Sequence, residues 1–221
     1  MKQKTEISTI RKFGDLQLIS LKMKIPSIKP GQFLIVYNPE KDDHLIPIYF
    51  ALLLDDFYFV KPKNTNWEIG DHLIVKGPIG SGFLNDYIFQ NLLCVSLDQP
   101  YGGLNPVIDH CVSTGKNVAY MLDDTDEVLP NSVEIVFPEM LNENLLWADY
   151  VLIEAERNHL EQSKEILKRI LDSGIPTEIL IYCPILCSGD SQCMVCTVKT
   201  KKGWIRTCQN GTVFNLNELE F

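Results

Sequence analysis

Four of the seven cysteines of this 221-residue chain lie close together near its C-terminal end. They are Cys187, Cys193, Cys196 and Cys208, in the pattern C-x5-C-x2-C-x11-C. Scattered cysteines are usually small buried hydrophobes. Four thiols gathered around a C-x2-C pair are instead typical of a bound metal or a disulfide. The segment is therefore the first candidate for chemistry in this chain.

Two kinds of metal centre use such a set of thiolates. The plant-type [2Fe–2S] pattern is C-x4-C-x2-C…C, which is one residue shorter in its first loop. A structural zinc site with four cysteine ligands also uses C-x2-C pairs. The spacing favours the iron–sulfur cluster over zinc, and free or disulfide-bonded thiols are the third interpretation. Asp190 lies in the longer first loop and is either an alternative ligand or a solvated carboxylate.

The remaining histidines and cysteines predict no further site. All four histidines (His44, His72, His110 and His159) lie upstream of the cysteine cluster, so a Rieske-type centre with two histidines is not expected. Cys94, Cys111 and Cys183 lie in or at the ends of apolar runs, which is typical of core thiols. The histidines and carboxylates are dispersed, and no catalytic residue is assigned.

The composition excludes several classes of protein. The chain is 45% hydrophobic and 22% charged, as is usual for a globular protein, and its formal net charge is −9. Such an acidic balance argues against a nucleic-acid-binding protein. The N-terminus lacks the apolar core of a signal peptide, and no apolar run has membrane-spanning length. We expect a cytoplasmic protein, in which structural disulfides are rare.

The elements that would position the cysteines change character along the chain. Short β-rich runs at 16–23, 30–38, 45–61 and 71–78 predict an antiparallel β-barrel. From residue 89 onward, apolar runs of buried-strand type alternate with helical connections, one of them at 157–174, which predicts a doubly wound α/β sheet. We therefore predict a barrel domain at 1–88, an α/β domain at 89–183 and a metal-stapled segment at 184–221.

Three stretches resemble the electron-transfer subunit of two-subunit dihydroorotate dehydrogenases, in the ferredoxin–NAD(P) reductase superfamily. "PGQFLIVYNP" resembles an early barrel strand of that family, and "IGDHLIVKGPIGSGF" resembles its segment G-D-x-x-x-x-x-G-P-L-G-x-G-F. "CMVCTVKTKKGWIRTCQNGTVFNLNEL" resembles its cluster-binding end. The resemblance covers nearly the whole chain.

The resemblance implies a set of cofactors and a partner. Members of the family carry FAD in the barrel, bind NAD in the second domain and hold a [2Fe–2S] cluster in the tail. The four tail cysteines fall where the family's cluster ligands fall. The flavin contacts would fall on the following residues of this chain: Pro47, Tyr49, Thr65 and Gly80. The implied partner is a catalytic flavoprotein subunit in a hetero-oligomer.

Both nucleotide sites depart from the family's pattern. The Arg-Pro-x-Ser/Thr stretch of the flavin site reads Ile46-Pro47-Ile48-Tyr49 here, and the Gly-x-Gly-Thr turn reads Pro62-Lys63-Asn64-Thr65. The glycine-rich NAD turn is replaced by Gln99 to Pro106, and the later Gly-Pro by Ala155-Glu156. Lost glycines remove the close backbone approach that phosphates need. We expect a weakened FAD site and no NAD site.

The sequence thus predicts an electron-transfer subunit that passes single electrons through a [2Fe–2S] cluster, with or without FAD, to or from a partner flavoprotein. A complete NAD-linked flavin reductase is a second hypothesis. The third is a scaffold or interaction subunit whose tail cysteines hold zinc.

Overall fold

The computed structural model describes residues 2–13, 16–23, 28–41, 45–53, 56–62, 65–83, 88–97, 102–122, 129–185 and 192–220. The first six strands close an antiparallel barrel in the order β1-β2-β5-β4-β3-β6. Their bounds are β1 (Lys2–Phe13), β2 (Leu16–Leu21), β3 (Phe33–Tyr37), β4 (Ile46–Leu53), β5 (Asp56–Pro62) and β6 (His72–Ile79). Closure leaves the sheet without free edges.

Strands β3 and β4 are apolar on both faces because each face meets a different core. Side chains alternate between the two faces of a strand. Leu34 and Ile48 point into the barrel core. Phe33 and Tyr49 point the other way, into the large core shared with the second sheet. The apolar run at 33–37 therefore joins the two halves of the molecule.

The second sheet has six strands in the order β14-β11-β10-β7-β8-β9. Its strands are β7 (Asn91–Ser96), β8 (Asn117–Met121), β9 (Val133–Val136), β10 (Tyr150–Glu156), β11 (Thr177–Tyr182) and β14 (Val213–Asn215). All neighbours are parallel except β14, which pairs antiparallel with β11. The connecting helices are α1 (Asn105–Ser113), α2 (Leu141–Trp147) and α3 (Lys164–Asp172).

The C-terminal segment packs against both halves of the molecule. It contains a hairpin of β12 (Thr197–Thr200) and β13 (Gly203–Arg206), a short helix α4 (Thr207–Asn210) and then β14. At the helix end, Gly211 lies against Gly80 of the barrel so closely that a Cβ on Gly211 would lie 2.5 Å from the Gly80 Cα. The Thr212 hydroxyl donates to the Gly31 carbonyl at 3.2 Å. The tail thus joins the barrel to the sheet.

The predicted succession of antiparallel barrel and α/β sheet is confirmed. The predicted helix at 157–174 is shorter in the structure, since a 3-10 turn spans Arg157–His159 and the α-helix begins only at Lys164. Arg157 is held there by the tail, as described below. In the described part of the chain, no helix has the length and hydropathy that a membrane crossing requires.

Candidate functional site

The C-x2-C turn at Cys193–Cys196 is tied down through its backbone. The successive carbonyl groups of Met194, Val195 and Cys196 all accept hydrogen bonds from protein groups. The Thr197 hydroxyl donates to the Met194 carbonyl at 3.0 Å. The Arg157 guanidinium donates to the Val195 carbonyl and, at 3.1 Å, to the Thr197 carbonyl. Because Arg157 follows strand β10, it fixes the turn to the α/β sheet.

The hydrogen bonds of the Cys196 carbonyl bring Cys196 close to Cys208. The Cys196 carbonyl accepts from the backbone N–H of Thr207 at 3.0 Å and from the Thr207 hydroxyl at 3.1 Å. Cys208 directly follows Thr207, so Cys196 and Cys208 lie at adjoining ends of the β12–β13 ladder. Met194 itself has a φ of 59°, a left-handed conformation that is uncommon outside glycine. The turn is therefore a constrained, preformed element.

The four predicted ligands have different environments. Cys193 is exposed, whereas Cys196 and Cys208 are buried. Cys187 and Asp190 lie outside the described residues. Within the described ranges, no three His, Cys, Asp or Glu side chains converge on a metal position. The donor chemistry nevertheless suits an iron–sulfur cluster, because thiolates are its usual ligands and the turn that carries two of them is held in place.

The three other cysteines are buried, as the apolar runs predicted. Burial raises the pKa of the Cys111 thiol to about 11, against a smaller opposing effect of the Lys116 ammonium. Burial also raises the pKa of Cys183 to about 12, although a hydrogen bond with the Thr207 hydroxyl and the Arg157 charge act in the other direction. Both are neutral thiols near pH 7, which is the form of a core cysteine.

Tyr49, which stands where the resemblance places a small flavin-contacting hydroxyl, is part of the protein core. It is 6% exposed. Its ring stacks on Phe33 with centroids 5.5 Å apart and meets Tyr182 edge to face at 4.5 Å. The backbone N–H of Cys183 approaches the Tyr49 hydroxyl at 3.5 Å. Tyr49 therefore packs in the core between the barrel and the α/β sheet.

The other three residues predicted to contact FAD lie in strand β4, in the connection before β6 and directly after β6. Pro47 lies in β4, paired with Ile35 of β3. Thr65 is half-buried in the connection before β6. Gly80 packs backbone to backbone on Gly211, and its carbonyl accepts from the Gln32 amide at 2.6 Å. The Gly80 turn thus serves the docking of the tail.

A buried carboxylate that the sequence analysis did not identify lies next to Tyr182. Glu154 is fully buried in strand β10. It accepts hydrogen bonds of 2.6 Å from the hydroxyls of Tyr120 and Tyr182. A Cβ on Gly103, in the turn before α1, would collide with the Tyr182 hydroxyl. The altered glycine turn is therefore packed directly onto this network.

Comparison with known proteins identifies the fold. No family model and no curated protein matches the chain. Among solved structures, an NADH-dependent reduced ferredoxin-NADP oxidoreductase, studied for flavin-based electron bifurcation, matches 98% of this chain and 89% of its own, with a TM-score of 0.70 and 17% identity. The chain has the ferredoxin reductase fold. Coverage of 98% necessarily includes most of the tail after Ile185.

Other solved structures share about four fifths of this fold. A ferredoxin reductase of carbazole 1,9a-dioxygenase aligns over 80% of this chain and 67% of its own, with a TM-score of 0.65 and 16% identity. The flavohaem-like FAD/NAD-binding domain of nitric oxide dioxygenase from Vibrio cholerae aligns over 82% of this chain and 96% of its own, with a TM-score of 0.56 and 10% identity. The Vibrio cholerae protein is an FAD- and NAD-binding domain.

No further ring can lie between the side chains of Tyr49 and Tyr182. A ring inserted between Tyr49 and Tyr182 would need contacts of roughly 3.5 Å on each face. The two side chains already touch, with centroids 4.5 Å apart.

Proposed function

We propose that this chain is an electron-transfer subunit of the dihydroorotate dehydrogenase type, diverged so that its tail carries the redox group. Cys187, Cys193, Cys196 and Cys208 would hold a [2Fe–2S] cluster. Such a cluster accepts and releases one electron at a time. The proposal is supported above all by the anchored C-x2-C turn, whose Met194, Val195 and Cys196 carbonyls are all hydrogen-bonded to protein groups.

The residues around the turn have a positioning function in this proposal. Arg157 and Thr207 hold the two sides of the turn, so the geometry of Cys193 and Cys196 is set before any metal binds. Preorganisation lowers the ordering cost of binding. Exposure of Cys193 beside buried Cys196 places one side of the centre near the surface, where a partner can approach.

The organic chemistry would take place in a partner flavoprotein, joined to this chain in a hetero-oligomer. The dispersed histidines and carboxylates of the sequence offer no acid–base pair for it. The contact between Tyr49 and Tyr182 supports a chain without its own FAD, because it leaves no room for a flavin ring between these two side chains. NAD is likewise not part of the proposal, since Gly103 packs on Tyr182.

The second candidate is a scaffold or interaction subunit whose tail cysteines bind zinc. The altered FAD and NAD turns of the sequence favour it, because a chain that binds neither nucleotide would lack their redox chemistry. The two candidates assign the same thiolates to different metals, so metal identity decides between them.

Substitution of single cysteines tests the proposal. Each of the four changes C187S, C193S, C196S and C208S should lower iron from two atoms per chain to a small residual amount, because each removes one of four thiolate ligands. C94A and C111A change buried thiols outside the tail and serve as controls that should retain both irons. Iron, zinc and acid-labile sulfide are measured on anaerobically purified protein.

Loss of iron in the controls as well would show general unfolding, which circular dichroism of the same samples would reveal. Retention of iron in the four tail variants would contradict the proposal. One zinc per chain in the wild type, lost only from the tail variants, would contradict the iron–sulfur proposal and support the zinc-binding scaffold.

A further inference from the structure

Two large apolar side chains are exposed to solvent, one on the β12–β13 hairpin and one in the turn before it. Trp204 is 63% exposed and Met194 is 46% exposed. Trp204 pairs with Lys199 across the hairpin and Arg206 pairs with Thr197, so Lys199, Trp204 and Arg206 share one face. The Arg206 Nε donates to the Met194 sulfur at 2.9 Å. Met194, Lys199, Trp204 and Arg206 are together called the tail patch below.

A groove runs along the tail patch. It has a volume of about 790 Å³ and lies between the hairpin and the segment that precedes α3. Leu160 and Lys164 line one side, and Trp204 and Met194 line the other. Cys193, the exposed cysteine of the C-x2-C turn, is the neighbour of Met194 in the chain. The groove therefore reaches the edge of the proposed redox centre.

The tail differs in charge from the rest of the chain. Residues 192–220 contain four cations, Lys199, Lys201, Lys202 and Arg206, and two carboxylates, Glu218 and Glu220, for a net charge of +2. The whole chain carries −9, so the remainder carries −11. Both tail carboxylates are in ion pairs, Glu220 with Lys199 at 2.6 Å and Glu218 with Lys202 at 3.7 Å. The groove itself is lined by three cations, Arg157, Lys164 and Lys199, and two carboxylates, Glu161 and Glu220, so its net charge is also positive.

Exposed apolar residues with a cationic rim are typical of a binding surface. Trp and Arg are the residues most enriched among the energetic centres of protein interfaces, and Met is enriched in their buried part. Residues scattered singly need no such explanation, but here Trp204 and Met194 border one groove. A surface of this kind fits a protein with carboxylates placed around an apolar centre.

We propose that the tail patch docks a protein partner whose contact surface is acidic at its rim and apolar at its centre. The electron-transfer role of that partner rests on the proposed function, but the docking itself does not. Contact with Trp204 and Met194 along the groove would bring the partner next to Cys193, the exposed cysteine of the C-x2-C turn. Trp204 would be the central anchor, and Lys201 and Arg206 would supply the charge.

Site-specific photo-crosslinking in the native host tests the surface. The photoreactive residue p-benzoylphenylalanine replaces Trp204 in one variant and Leu146 in a matched control, because Leu146 is 91% exposed on helix α2. Position 204 should trap one protein, identified by mass spectrometry, and position 146 should not trap it.

Binding measurements with the purified partner complete the test. W204A and the pair K201E/R206E should each raise the Kd by about tenfold or more, and L146A should leave it unchanged. Raising the salt from about 50 to about 300 mM should also weaken binding several-fold, because the rim contacts are electrostatic. Trapping from both positions, trapping only of a second copy of this chain, or an unchanged Kd in both patch variants would overturn the proposal.

A mixed result separates the two proposals. If C196S loses iron and position 204 traps no partner, the docking surface is wrong and the redox centre stands. If position 204 traps an acidic partner but the tail holds no iron, the patch is an interface of a non-redox subunit.

Discussion

Large side chains are buried in the region between barrel and sheet, called the crevice below, and exposed on the tail hairpin. In the crevice, Tyr49 and Tyr182 bury their rings against one another, and Glu154 is satisfied by two tyrosine hydroxyls. On the hairpin and in the turn before it, Trp204 and Met194 are exposed beside a groove. Large side chains are therefore core in the first region and accessible to solvent in the second. Only the second region has large apolar side chains that another molecule could contact without unfolding this one.

The largest expected effect comes from truncating one aromatic side chain in each region. Y49A should lower the free energy of unfolding by about 3–4 kcal/mol, because it leaves a cavity in a buried aromatic cluster. W204A removes a larger side chain but should change stability by less than about 0.5 kcal/mol, since Trp204 is mostly exposed. Urea unfolding of the two variants measures both. Equal costs would mean that the two regions do not differ as described.

A smaller effect is expected where the tail meets the barrel. G211A should cost about 3 kcal/mol, because residue 211 has a φ of 97° and a ψ of 177° and a Cβ there would lie 2.5 Å from the Gly80 backbone. G174A is the matched control. Its φ is 72°, but no atom lies within 4 Å of the added Cβ, so about 1 kcal/mol is expected.

Thermal or urea unfolding under identical conditions compares these two glycine variants. Similar losses would show that backbone conformation alone limits residue 211, and the close contact between tail and barrel would then contribute nothing.

The smallest effect concerns a buried thiol far from the tail. The pKa of Cys111 is about 11 in the folded protein, against an ordinary value of 9.0 in the unfolded chain. The unfolded chain therefore loses this proton first as the pH rises, and the stabilisation present below about pH 9 is lost towards pH 11. Wild type should lose about 2 kcal/mol more than C111A over this range, at about 1.4 kcal/mol per pKa unit.

Unfolding by urea at a series of pH values, with wild type and C111A side by side, checks this difference. Parallel stability curves for the two proteins would show that Cys111 ionises equally well in both states, and hence that its surroundings are not apolar.

The fold was predictable because its pattern is local. The alternation of Leu16–Leu21 and the apolar run of Phe33–Tyr37 predict strands without any knowledge of their partners. The altered nucleotide sites, which the loss of the glycine-rich turns predicts, stay a prediction. The buried state of Cys94 and Cys111 followed from their apolar neighbours.

Long-range contacts were not predictable in the same way. Tyr49 and Tyr182 are far apart in the sequence, and only the folded chain shows that their rings fill the crevice. Arg157 was assigned to a helix, but its bonds to the Val195 and Thr197 carbonyls hold it in a 3-10 turn. One local signal was present for Glu154, since a single carboxylate inside an apolar strand must find buried partners.

The central claim is that the redox group lies in the tail and that the crevice holds none. The most direct measurement is an absorption spectrum of protein purified without oxygen, with iron, zinc and flavin quantified on the same sample. The account predicts two irons per chain, visible bands that dithionite bleaches, and less than about a tenth of a flavin per chain. One zinc in a colourless protein, or stoichiometric FAD without iron, would contradict it.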